Sequence, residues 1–148
     1  MSNKIQKSVL AGIIGTVVMT AVMMISQMMG MPKMSPPEMV SGMMGLPIFV
    51  GWMMHFVIGI VFALIYTFFV ASKIKADNHY LKEALFGIVA FVVAQIMMKV
   101  MGAMMGMSAM EGPKLLLAMG SLMGHIIFGM AVAKVVGNAF CTGKSDTK

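Results

Sequence analysis

The chain has 148 residues, 59% hydrophobic and 11% charged, with a net charge of +6 and a mean hydropathy of +0.93. A soluble domain of this length needs far more polar surface, so the composition points to the membrane. The lysine excess is met by topology and by anionic lipid, and it gives no reason to expect nucleic acid as a partner.

A bilayer span needs about 20 mostly apolar residues. Four stretches qualify, at residues 9–29, 49–69, 84–105 and 115–136. Lys4 and Lys7 precede the first. Its apolar run is longer than a signal-peptide core and no small-x-small site follows it, so it is expected to be a retained span. The first connection carries Pro32, Pro36, Pro37 and Pro47. Pro37 suits the first turn of a short interfacial helix over residues 38–45. The second connection holds Lys73, Lys75, His79 and Lys82, with His79 expected in a solvated loop. The third holds Glu111, Pro113 and Lys114. At or beyond the end of the fourth span lie Lys134, Lys144, Lys148 and the only cysteine, Cys141, so no disulfide can form within the chain. The expected fold is an all-α membrane protein with four transmembrane helices in a single domain. Barrel strands are excluded because they are about 9–11 residues long and alternate in polarity.

Lysine placement sets the orientation. The termini and the middle connection are lysine-rich, whereas the other two connections are nearly balanced, Lys33 with Glu38 and Lys114 with Glu111. The positive-inside rule then puts both termini and the middle connection in the cytoplasm of a multi-pass protein of the cell inner membrane. Trp52 and Tyr80 read as interfacial anchors.

The chain repeats itself. MMGMPKM at 28–34 matches MMGMSAM at 104–110 in five of seven positions, which pairs Met28 with Met104. Gly51, Met53, His55, Gly59 and Ala63 correspond to Ser121, Met123, His125, Gly129 and Ala133, all by one constant offset. The pattern predicts a duplicated two-helix hairpin, with units at about 8–72 and 83–137 and a pseudo-twofold axis along the membrane normal. The step from Met28 to Met104 is longer than the step from His55 to His125. That difference assigns the extra length to the first outer connection.

Methionine is polarised. There are 23, and the runs 9–18, 59–70 and 84–96 contain none. Nearly all lie at the end of each span that the orientation places outside. Steps of four residues put Gly51, His55, Gly59 and Ala63 on one helix face, and Ser121, His125, Gly129 and Ala133 on another. Small residues on such stripes let helices approach closely, and a histidine there points into the bundle. A neutral imidazole at such a place can be satisfied by a carbonyl, Thr20, Gln27 or Gln95, with no ligand.

Three functions are compatible with these residues. The first is binding or passage of a soft metal ion, Cu(I), for which imidazole and thioether are suitable ligands. Its candidate ligands are His55, His125, Met53 and Met123, with Met28, Met31, Met104 and Met107 at the outer entrance. Met-x3-Met pairs recur at Met19/Met23, Met24/Met28, Met97/Met101, Met101/Met105 and Met119/Met123. They resemble the Met-x3-Met element of copper-uptake channels, which implies ligand chemistry only, since those proteins have three spans and assemble as trimers. The second is a b-type haem held by His55 and His125 as axial ligands, with the flanking glycines making room for the ring and Lys99 facing a propionate. The third is a cofactor-free structural or accessory subunit, either a homo-oligomer or the partner of another membrane protein, packing through small-residue faces. No Asp or Glu is expected well inside a span. There is no paired carboxylate, no serine or cysteine near a base and no phosphate loop, so no enzymatic activity is expected.

GWMMHFVIG in the second span and SLMGHIIFG in the fourth, with glycine-rich starts to the first and third, resemble a family of small uncharacterised bacterial integral-membrane proteins. The resemblance covers nearly the whole chain. It implies a four-helix membrane fold and brings no activity to any residue.

Overall fold

A computed structural model describes residues 2–33, 35–71, 79–105 and 113–141. These residues are almost entirely helical. The elements are α1 (Ser2–Met28), α2 (Pro36–Met44), α3 (Ile48–Ile65, continued by a π-helical turn over Tyr66–Val70), α4 (His79–Met105) and α5 (Lys114–Cys141). Four segments are long and apolar enough to cross a bilayer: Asn3–Met28, Ile48–Val70, Glu83–Met104 and Leu115–Gly137. They contain nearly all of the four predicted spans. α1 and α5 run further than predicted because their polar ends stay helical beyond the apolar run. His79 opens α4 rather than lying in a loop.

The short helix α2 also forms where expected. Pro36 and Pro37 occupy its first turn, where a missing N–H costs nothing. It ends at Gly45, whose φ of 63° is the left-handed conformation of a helix C-terminus, with the Leu46 N–H bonded to the Ser41 carbonyl. Lys33 reaches Glu38 at 2.9 Å, but both side chains are exposed and the pair contributes little.

Large apolar side chains cover the outside of the bundle, among them Leu10, Val17, Val57, Val61, Val89 and Val92. In lipid such a surface carries no penalty, and association is driven by close packing of small residues. α1 packs between α3 and α5. Two adjacent stripes run along it at steps of four. Ser8, Gly12, Thr16 and Thr20 face α3, while Ala11, Gly15, Met19 and Met23 lie on the side of α5. α5 in turn packs against α4, giving the order α3–α1–α5–α4. α3 and α4 touch at few points among the described residues.

Glycine sets the close approaches. A Cβ on Gly12 would lie 2.6 Å from Ile60 Cα, and one on Gly59 would strike the Thr16 hydroxyl. Between α5 and α4, a Cβ on Gly129 would lie 2.7 Å from the Glu83 carbonyl oxygen and 2.8 Å from Gly87 N. Gly59 thus sits beside Gly12 and Thr16 of α1, and Gly129 beside Glu83 and Gly87 of α4, each pair one turn apart. The crossings therefore pair Gly12 with Glu83 and Thr16 with Gly87. That offset nearly equals the one from His55 to His125, and falls short of the one from Met28 to Met104.

At the other end of α3 the π-helical turn brings both Tyr66 and Thr67 inward, although they are neighbours in sequence. Ser8 Oγ lies 2.8 Å from Thr67 Oγ1, and the Thr67 hydroxyl donates to the Ala63 carbonyl at 2.9 Å. Tyr66 packs its ring on Phe86 of α4 with centroids 4.7 Å apart. Glu83 is buried at the first residue of the third span, at its end rather than well inside it. Its backbone carbonyl lies against Gly129 of α5.

Candidate functional site

The site begins with α1. Thr20 continues the stripe that faces α3, and its Oγ1 lies 3.3 Å from His55 Nε2. The Thr20 hydroxyl proton is already committed to the Thr16 carbonyl at 2.8 Å. His55 must therefore donate through Nε2–H, which leaves Nδ1 with its lone pair. His55 is buried on the stripe Gly51, His55, Gly59, Ala63.

His125 is half-buried on α5. Its Nδ1 lies 2.7 Å from the Ser121 carbonyl oxygen one turn back. A carbonyl only accepts, so Nδ1 carries the proton and Nε2 keeps its lone pair. A carbonyl on the far ring nitrogen fixes the tautomer of metal-binding histidines in the same way. Phe91 of α4 presents its ring edge-on at 5.9 Å.

Among the described residues the buried methionines are Met19 and Met23, which are 5% and 6% exposed. Their methyl groups fill the space left by the missing side chain of Gly124: Met23 Cε would lie 2.7 Å, and Met19 Cε 3.5 Å, from a Cβ built there. Gly124 precedes His125, and Met19 precedes Thr20, the partner of His55. Two imidazoles and two thioethers therefore occupy one level of the bundle, at the methionine-rich end of the spans.

The other methionines lie elsewhere. Met53 and Met123 are 54% and 57% exposed. Each stands two residues before its histidine, and positions two apart do not share a helix face. Met28 and Met104 are among the most exposed side chains, at the ends of α1 and α4, and Met31 is half-buried just beyond α1. Met107 lies outside the described residues. Lys99 is exposed on α4. Thr20 was legible as a histidine partner. Met19 and Met23 were legible as a pair but not as the internal sulfurs. Their signal is the stripe Ala11, Gly15, Met19, Met23, which continues two small residues at the same spacing.

Neutral imidazole nitrogen and thioether sulfur make a soft, uncharged donor set, suited to Cu(I) rather than to hard cations. Among the described residues no three His, Cys, Asp or Glu side chains come together as a metal site, so any metal held here needs the thioethers. A flat macrocycle meets a different situation. The spaces at Gly51, Gly59 and Gly129 are filled by α2, α1 and α4, with Pro37, Thr16 and Gly87 in direct contact.

No curated protein and no solved structure matches the chain. Residues 2–144 match a family of unknown function, DUF6789. That match spans all four apolar helices and both histidine stripes, and the chain belongs to this family.

Proposed function

We propose that this integral membrane protein binds or passes a soft metal ion, Cu(I), at an internal site formed by His55, His125, Met19 and Met23. The observation that carries the reading is that two hydrogen-bonded imidazoles and two buried thioethers lie at one level of the bundle. Met28, Met31 and Met104 mark the approach to the site from the methionine-rich end, and Met107 belongs to the same segment by sequence. Met53 and Met123 supply sulfur on the lipid side of the same turns. By lysine placement this end is the outer half of the cytoplasmic membrane, with both termini in the cytoplasm. Duplication of one hairpin accounts for the pairing of the histidines and for the matching crossings of α1 with α3 and of α4 with α5.

A specific observation favours a second reading. His55 and His125 each have a protein hydrogen-bond partner, so both are accommodated in a purely structural bundle. In that case the chain is a cofactor-free scaffold or accessory subunit. Metal analysis of detergent-purified protein, before and after Cu(I) reconstitution, separates the two. The metal reading predicts stoichiometric copper that is lost in His55→Ala/His125→Ala. A protein that takes up no copper is the scaffold. A Soret band in the absorption spectrum would instead assign the histidines to haem.

A further inference from the structure

The two imidazoles are held by different means. His125 uses its own helix, with Nδ1–H donating to the Ser121 carbonyl one turn back at 2.7 Å. His55 has the corresponding carbonyl one turn back, that of Gly51, but among the described residues its ring bonds to Thr20 of α1 instead, at 3.3 Å from Nε2. The difference follows from what the neighbouring helix brings to each ring. Gly59 lies beside Gly12 and Thr16 of α1, and Gly129 beside Glu83 and Gly87 of α4. One turn further along, α1 reaches His55 with Thr20, and α4 reaches His125 with Phe91, whose ring stands edge-on at 5.9 Å. Equivalent places in the two crossings thus hold a hydroxyl and an aromatic ring.

The Thr20 hydroxyl gives its proton to the Thr16 carbonyl at 2.8 Å, so its oxygen meets the imidazole as an acceptor. Phe91 offers no lone pair to compete with the Ser121 carbonyl. We propose that Thr20 is a positioning residue that makes His55 a ligand through Nδ1, whereas His125 is a ligand through Nε2. The proposal rests on the soft-metal reading and specifies it: the two helices supply unlike ring nitrogens. One is set by a side chain of the adjacent helix and the other by backbone. A partner that holds the far nitrogen of a metal-binding histidine sets both its tautomer and its ring orientation. In Thr20→Val the Nε2–H loses its acceptor. The Gly51 carbonyl then becomes the acceptor for His55, as the Ser121 carbonyl is for His125, and Nδ1 carries the proton in place of the lone pair.

The test is nitrogen NMR of detergent-purified, metal-free protein with isotope-labelled histidine, at mildly alkaline pH. Proton–nitrogen correlations through the ring show which nitrogen is protonated, and His55→Ala and His125→Ala assign the signals. The expected wild type has the proton on Nε2 of His55 and on Nδ1 of His125. Thr20→Val should move the His55 proton to Nδ1 and weaken Cu(I) binding by about tenfold or more. Thr20→Ser should restore both properties, and Phe91→Leu should leave both tautomers as they are. A wild-type His55 protonated on Nδ1, or a His55 tautomer indifferent to Thr20→Val, would overturn the proposal. So would a loss of Cu(I) affinity in Thr20→Val that Thr20→Ser does not recover. The wild-type tautomers decide the matter should Thr20→Val fold poorly. The expected tautomers in a protein that takes up no copper would overturn the ligand assignment together with the metal reading. The wrong tautomers in a protein that binds copper would overturn the proposal alone.

Discussion

Gly87→Leu is expected to unseat α4 from α5 and to destabilise the bundle by about 3 kcal/mol. A Cβ on Gly87 would lie 2.5 Å from the His125 carbonyl oxygen and 2.6 Å from Ile126 Cα. Both are backbone atoms of a long helix, so no side-chain rotation relieves the clash and the helices must separate. In lipid no hydrophobic force pulls them back, since packing itself drives their association. His125 is carried on the displaced segment, so its contact with Phe91 should loosen as well. The unfolding midpoint in a denaturing-detergent titration reads the effect. Gly42→Ala is the control, because nothing lies within 4 Å of a Cβ there. Its midpoint should hold or rise slightly, as alanine is the better helix former. A wild-type midpoint for Gly87→Leu would mean that α4 and α5 do not cross this closely.

The second large effect concerns the internal sulfurs. Met19→Leu/Met23→Leu nearly conserves volume and apolarity, so stability should change little. It removes both buried thioethers and should lower Cu(I) affinity at least about tenfold, equivalent to about 1.4 kcal/mol. Met53→Leu/Met123→Leu should leave affinity unchanged, because those side chains are more than half exposed and stand off the histidine face. Competition against a chromogenic Cu(I) chelator in detergent measures both. The reverse pattern, with affinity lost only in the second double variant, would move the site to the lipid-facing surface.

These two effects separate what the sequence shows from what needs three dimensions. The four spans follow from length and hydropathy, and α2 follows from Pro36, Pro37 and Gly45. The faces of α3 and α5 follow from small residues at steps of four, which mark a close crossing whatever surrounds it. The methionines are harder to place. In a soluble helix the buried face is apolar and the outer face polar, but here lipid and core are both apolar. Met19 and Met53 therefore look alike by hydropathy. Only their neighbours tell them apart: Met19 continues a stripe of alanine and glycine, while Met53 sits two positions from His55, on another face. The repeated MMGMxxM motif and the close crossings step along the chain by different amounts. The motif steps from Met28 to Met104, whereas the residues that meet Gly59 and Gly129 step from Gly12 to Glu83, a shorter distance. The π-helical turn at Tyr66–Val70 leaves no local pattern in the chain, yet it holds both Tyr66 and Thr67 inward, with Tyr66 packed on Phe86.

The most direct measurement is the copper K-edge X-ray absorption spectrum of the Cu(I)-reconstituted protein. A mixed shell of imidazole nitrogen and thioether sulfur is predicted, losing nitrogen in His55→Ala/His125→Ala and sulfur in Met19→Leu/Met23→Leu. Failure to retain copper, or a shell of sulfur alone that is indifferent to both histidines, would contradict the internal site.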